Sequence, residues 1–300
     1  MKLAAVITWV PILILPAAFI LVAPTGLDRW AFMWVLAWTI FVGCKWLTWR
    51  SVPTTGASIP LQLGYLFAWP GLDAPAFLNT PNLQRPRVSA WFFAAAKLTI
   101  GLLLIFAVYP IMPAEAVLSR GWIGMIGIVF VLHFGVFHLL SLAWRAAGVT
   151  ARPIMDWPVL ACSVSDFWGK RWNTAFRDLT HRFLFRPLTA RFGAKAGLAV
   201  GFLFSGFVHD LVVSAPAQGG YGGPTLFFLL QGAAILFERS ATGQRLGLGK
   251  GVRGWAFTVV VLLAPLFLLF HPPFVREVIV PFIDWILQAG GSAANPGDSL

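Results

Sequence analysis

AGLAVGFLFSGFVHDLVVSAP, residues 196–216, decides what kind of molecule this is. His209 and Asp210 are its only titratable side chains. As a helix rising 1.5 Å per residue the stretch is about 30 Å long, the thickness of a bilayer's hydrocarbon core. Working outward, comparable apolar stretches occupy residues 3–26, 30–44, 88–108, 121–144, 195–215, 225–238, 254–270 and, more weakly, 278–287. The sequence therefore predicts an all-α polytopic membrane protein of about eight transmembrane helices.

Composition closes off a soluble alternative. Of 300 residues 58% are hydrophobic and 11% charged, with a mean hydropathy of +0.79, whereas a soluble domain carries about a quarter charged residues. The polar residues are too few to cover a water-facing surface. Residues 51–87 are apolar but interrupted by Pro53, Pro60, Pro70, Pro75 and Pro81. Proline removes helix hydrogen bonds, so this part is expected to be interfacial or re-entrant. Residues 1–289 read as a single integral membrane domain that retains its first helix, and residues 290–300, rich in Gly, Ala and Ser, as a disordered tail.

Basic residues set the sidedness. The chain holds 22 Lys and Arg against 11 Asp and Glu, a net charge of +11. Between Arg145 and Lys195 the acids are Asp156, Asp166 and Asp178, outnumbered by Arg145, Arg152, Lys170, Arg171, Arg177, Arg182, Arg186, Arg191 and Lys195. A second basic loop runs from Arg239 to Arg253, and counting crossings puts both loops on one side with Lys2 and the Lys45–Arg50 turn. The positive-inside rule makes that side cytoplasmic and marks the charge as topological rather than nucleic-acid binding. The Ala- and Arg-rich, lysine-poor composition points to a bacterial inner membrane. Lys97, inside residues 88–108, is expected to snorkel. Cys44 and Cys162 make neither a disulfide framework nor a metal-ligand spacing, so no metal is expected.

Polar residues inside apolar stretches are costly and mark function. His209 lies about 20 Å along a helix counted from Lys195. Asp210 points about 100° away from it and cannot pair with it across one face, but Ser205, four residues earlier, can. The same spacing continues back through Gly201, Gly197 and Gly193. Two readings fit this strip of small residues: a close helix–helix seam, or the wall of a narrow tunnel with an imidazole at its inner end, poised to take and return a proton. A second constellation, DFWGKRWN at 166–173, is either an interfacial Trp and cation anchor or a substrate site. In the second reading Lys170 and Arg171 meet an anionic handle and Asn173 hydrogen-bonds a reacting carbonyl. His133 and His138 diverge by about 140° on a helix and make no metal pair. His181 reads as solvated, His271 as a helix-end marker, and Gly121, Gly124 and Gly127 as a packing face.

Taken together, SDFWGKRWN at 165–173 and FLFSGFVHDLV at 202–212 resemble the wax-synthase-type branch of the membrane-bound O-acyltransferase superfamily. Flanking pieces agree: RPIMDWPVLACSV at 152–164, GYLFAWPGLDAPAF at 64–77 and LLFHPPFVRE at 268–277. The likeness is strongest over residues 140–275. It implies a multi-helix membrane enzyme moving an acyl group from acyl-CoA, as co-substrate and with no cofactor, to a hydroxyl. A long-chain alcohol is the first acceptor expected, ahead of a sterol or a diacylglycerol. By the same resemblance His209 is the base and Asn173 its catalytic companion; Asp166, Trp168, Lys170, Arg171, Trp172, Ser205 and Asp210 are the candidate substrate-binding residues beside them. The rival on the residues alone is a proton-coupled transporter using His209 and Asp210, with a non-catalytic scaffold as a third reading.

Overall fold

Long apolar runs become long helices, even where α1 keeps Pro11 and Pro16 inside it, and the stretch at 51–87, with prolines every few residues, becomes short ones. The computed structural model describes residues 2–53, 56–79, 81 and 84–294. In chain order its helices are α1 (Lys2–Val22), α2 (Arg29–Arg50), α3 (Ile59–Phe67), α4 (Ala74–Asn79), α5 (Val88–Ile111), α6 (Val117–Ala146), α7 (164–171) and α8 (174–192). Then follow α9 (Ala194–Ala217), α10 (Gly223–Glu238), α11 (Ala241–Arg245), α12 (Gly251–Leu269) and α13 (272–294). Among the described residues the only β pairing is an isolated bridge between Pro81 and Val149. The all-α polytopic class is as the sequence predicts.

Among the described residues five helices, α2, α5, α6, α9 and α12, are by length and composition able to cross a membrane, where the sequence offers eight apolar stretches. The apolar helices at Thr8–Val22 and Gly223–Glu238 are shorter. The stretch at 278–287 lies within α13, which carries Arg276, Glu277 and Asp284 and is therefore more polar than its apolar run suggested. Those charges are used: Glu277 pairs with Arg29 at 3.1 Å and Asp284 with Arg120 at 3.5 Å. Helix α13 continues past Gly290 to Ala294, and residues 295–300 lie outside the described residues.

Two lysines depart from expectation for one reason. Helix α2 does not close at Cys44 but continues to Arg50, so Lys45 is 2% exposed rather than in a cytoplasmic turn. Its ammonium donates to the Gly71 carbonyl at 2.6 Å and sits 3.7 Å over the Tyr65 ring. Lys97 does not snorkel either: its Nζ meets His138 Nδ1 at 2.8 Å and lies over Phe93. A charge inside an apolar helix is tolerated where a neighbouring element supplies a carbonyl or a ring face.

Residues 57–79 bury one face and leave Ile59, Leu63 and Phe67 exposed on the other. Tyr65, Trp69, Phe77 and Leu78 pack with Leu47, Ile154 and Leu179 into one core. A second core joins α2, α5, α6 and α13 through Met33, Tyr109, Met125, Val275 and Ile283. Gly121, Gly124 and Gly127 are its close-approach face, as their spacing suggested. A third, smaller cluster of Phe227, Phe228 and Leu269 with Trp168 and Phe202 lies against His209.

Candidate active site

Helix α9 presents the strip of small residues. Gly197, Gly201, Ser205 and His209 all line one cavity of about 830 Å³, enclosed by α6, α7, α8, α9, α10 and α12. Ligand pockets occupy about 300–1,000 Å³. Both readings of the strip hold, at different heights. A β-carbon on Gly197 would approach Thr189 Oγ1 to 2.5 Å, so there the strip is a seam with α8. On Gly201 it would meet nothing within 4 Å, so from there inward the strip is a wall.

His209 is the last residue before α9 widens into a π-helical turn, Asp210–Ser214, a distortion frequent at functional sites. Its Nδ1 lies 2.7 Å from the Ser205 main-chain carbonyl. A carbonyl only accepts, so Nδ1 carries the proton and Nε2 keeps its lone pair. Nε2 makes no hydrogen bond among the described residues. The helix spacing paired Ser205 with His209, and the atom of Ser205 that meets the imidazole is its main-chain oxygen. The Ser205 hydroxyl donates instead to Gly201, at 3.0 Å. The imidazole rests on Phe228 with centroids 4.5 Å apart.

Asn173 reaches the same cavity from the junction of α7 and α8. It adopts a left-handed backbone conformation, φ 41°, which asparagine tolerates better than most residues. Its side-chain oxygen accepts from Phe176 N at 3.2 Å and caps α8. With the oxygen so committed, the amide nitrogen is left as a donor with no partner among the described residues.

The remaining candidates divide. Trp168 and Trp172 line the cavity with Ser205. Trp168 donates to Gln231 at 3.3 Å, and Trp172 stacks between Phe167 and His133, 13° from each ring plane. Asp166, Lys170, Arg171 and Asp210 are not in the lining. Arg171 closes its own π-helical turn, donating from Nε to Asp166 at 2.5 Å and from Nη1 to the carbonyls of Asp156 and Trp157. Lys170 is exposed. Asp210 accepts from Ser214, Gly222 and Thr225.

The cations that do face the cavity are Arg177 and Arg239, with His181 exposed beside them and stacked on Phe185. Arg177 pairs with Asp178 at 2.8 Å, and its Nε is buried without a partner among the described residues. Burial pushes the Asp178 carboxyl above its usual range, against the pull of Arg177. Arg239 donates to Ser165 at 3.1 Å. Next to it the Glu238 carboxylate, 5% exposed, accepts from Val164 N at 2.8 Å, Ser165 N at 2.9 Å and the Ser165 hydroxyl. It holds the first turn of α7, where a negative charge also meets the helix dipole favourably.

Sequence reasoning missed His133, which lines the cavity from a π-helical stretch of α6, Phe130–Val136. The rule that singled out His209, a titratable side chain inside an apolar run, applied to it equally. Glu238 was taken only as the end of a helix, and its partners lie too far away in sequence for periodicity to reveal.

The cavity joins two distant motifs in the order the resemblance requires, and comparison with known proteins agrees. Residues 151–230 match the membrane bound O-acyl transferase family. The wax-synthase-type resemblance is borne out. A probable long-chain-alcohol O-fatty-acyltransferase 1 of Arabidopsis thaliana is 29% identical over 177 residues, 53% of this chain and 48% of that protein. The long-chain-alcohol O-fatty-acyltransferase of Simmondsia chinensis is 28% identical over 175 residues, 51% of this chain and 48% of that one. The chain thus spans about half the length of the curated relatives it matches. The family segment, 151–230, carries Trp168, Trp172, Asn173, Ser205 and His209, whereas the α6 and α12 walls lie outside it.

Proposed function

We propose that this integral, multi-pass membrane protein is an acyl-CoA-dependent O-acyltransferase that esterifies a long-chain alcohol, with His209 as general base. The observation that carries the reading is one cavity on which an imidazole with a free Nε2 and a carboxamide with a free amino group both open. The named relatives support the substrate class. In the proposed reaction Nε2 of His209 takes the alcohol's proton as its oxygen attacks the thioester carbonyl. The Asn173 amide donates to the oxygen that becomes negative. Collapse breaks the carbon–sulfur bond, and the imidazolium returns the proton to the departing thiolate. In this proposal Arg177 and Arg239, which line the cavity as Lys170 and Arg171 do not, meet the phosphates of the CoA moiety. The apolar side chains of Trp122, Met125, Leu262, Leu266 and Phe270 suit hydrocarbon and exclude water that would divert the acyl group to hydrolysis.

In this reading the basic loops face the cytoplasm. In a bacterium the membrane is the inner one, although the relatives named above are plant proteins and lend that host no support. The test is purified protein in lipid nanodiscs with labelled palmitoyl-CoA and hexadecanol. Labelled ester is expected from the wild type and about 10²–10⁴-fold less from His209→Ala, with both proteins unfolding at similar temperatures. Full turnover by the Ala variant removes the base from the mechanism. Proton flux without acyl-CoA favours the transporter.

A further inference from the structure

His133 shares the cavity with His209 and Asn173, and nothing in the mechanism above uses it. Its ring lies parallel to Trp172, 6.4 Å between centroids and 13° between planes, and meets Phe137 edge-on at 5.4 Å. Neither contact is a hydrogen bond. Nδ1 is enclosed by protein with no partner, and Nε2 is not hydrogen-bonded among the described residues.

An uncharged imidazole carries one proton, and the two nitrogens are not equivalent sites for it here. On the enclosed Nδ1 it would be a buried donor with nothing to receive it, a condition native structures rarely tolerate, whereas an unpaired acceptor is less costly. On Nε2 it points an N–H towards the cavity. That tautomer also places the lone pair on the enclosed nitrogen, where no substrate hydroxyl reaches it. His133 is therefore built as the opposite of His209, which has its proton on Nδ1 and its lone pair towards the cavity.

Trp172 links this donor to the other one. Its indole is stacked on His133, and the next residue in the chain is Asn173, whose amide nitrogen is also free. A developing oxyanion is best stabilised by preorganised donors that need no rearrangement as charge appears. We propose that His133 is a second catalytic hydrogen-bond donor, whose Nε2–H joins the Asn173 amide in holding the thioester carbonyl oxygen through the tetrahedral intermediate. The assignment rests on the acyl-transfer reading above. It adds no proton transfer. The carbonyl π pair moves onto oxygen as the carbon–oxygen bond forms and returns as the carbon–sulfur bond breaks, with His209 handling the single proton.

The experiment uses the full chain in nanodiscs with palmitoyl-CoA and hexadecanol. His133→Phe keeps a flat ring against Trp172 and deletes the donor, while His133→Gln restores a donor. The Phe variant is expected to lose about 10²-fold in kcat, with KM for both substrates and the unfolding temperature near the wild-type values. The Gln variant recovers part of the loss. Should the Phe variant fail to fold, His133→Met against His133→Gln, similar in size, asks the same question of the donor alone. Wild-type kcat in the Phe variant, or equal losses in the donor and donor-free variants, overturns the assignment while leaving acyl transfer intact. If the wild type itself makes no ester, the acyl-transfer reading falls and this assignment with it.

Discussion

Among the described residues the His209 side chain makes one hydrogen bond, to the Ser205 carbonyl, and leaves Nε2 open on the cavity. Asp210, the next residue, accepts from the Ser214 hydroxyl at 3.0 Å, Gly222 N at 2.8 Å, Thr225 N at 3.1 Å and the Thr225 hydroxyl. Ser214 is bonded in turn to His271 Nε2 at 3.1 Å, and His271 Nδ1 accepts from Phe274 N. The network fastens together the ends of α9, α10 and α13. Both residues are polar groups inside an apolar chain, and the cost of burying them is similar in kind. They differ in what repays it. Donors of the protein surround the Asp210 carboxylate, which has little capacity left for a ligand. The imidazole has a vacant acceptor facing a void. Polarity inside a membrane helix therefore does not by itself mark chemistry; an unused hydrogen-bonding atom on a cavity does.

The largest expected effect separates the two neighbours directly. His209→Ala should lose about 10²–10⁴-fold in ester formation while its unfolding temperature stays near the wild-type value. Asp210→Asn should do the reverse. Its turnover at low temperature should stay within a few-fold of wild type, but its unfolding temperature should fall, since hydrogen bonds to a charged group contribute about 1.5–3 kcal/mol each. Activity and thermal unfolding measured on the same preparations decide this. A folded, stable and inactive Asp210→Asn protein would break the contrast and bring the carboxylate into the reaction.

Asn173 belongs on the His209 side of the comparison by only half of its side chain. Asn173→Asp keeps an oxygen to cap α8 and tolerates the same backbone conformation, but has no amide hydrogens. A loss of about 10²–10³-fold in kcat is expected, with folding retained. A small effect would mean that the cap, not the amide, is what the residue contributes. Gly201 sharpens the contrast from the side of shape. Gly201→Leu meets no neighbour at its first carbon, so it should fold normally while filling space within the cavity. About a ten-fold or greater loss in kcat/KM is expected, and an unchanged value would place the substrates elsewhere.

What the sequence revealed follows the same division. Helix periodicity put Ser205 and His209 on one face, and the order of the two motifs paired His209 with Asn173, because both are local or linear properties. The positions of Lys45 and Lys97 relative to the ends of apolar runs suggested solvent and snorkelling. Their actual partners, Gly71 in the connection between α3 and α4 and His138 on α6, lie in parts of the chain that no one-dimensional pattern brings near. Which of the basic residues face the cavity was hidden likewise. Lys170, Arg171, Arg177 and Arg239 read alike in the sequence, and only the folded chain puts Arg177 and Arg239 in the lining while Arg171 turns to Asp166. Small residues at four-residue spacing were ambiguous because the strip is a seam at Gly197 and a wall at Gly201.

The smallest expected effect concerns the far edge of the Asp210 network. His271 is 5% exposed, and burial holds its imidazole below the ordinary value of 6.5, with Asp210 drawing it partly back. A group whose pKa is lowered on folding binds fewer protons in the folded state than in the unfolded one as pH falls below 6.5. Its neutral form therefore favours the fold fully above that pH, and the contribution is lost as acid protonates the unfolded chain preferentially. The ring nitrogen that must take the proton already accepts from Phe274 N, so protonation also removes the cap of α13. The unfolding temperature of the wild type should drop on acidification from pH 7 to pH 5 by a few degrees more than that of His271→Asn, which keeps a capping oxygen and does not titrate. Equal drops would assign the acid sensitivity to other groups, and Asp178 is not one of them, because a carboxyl raised by burial is protonated more readily in the folded chain and so adds stability on acidification.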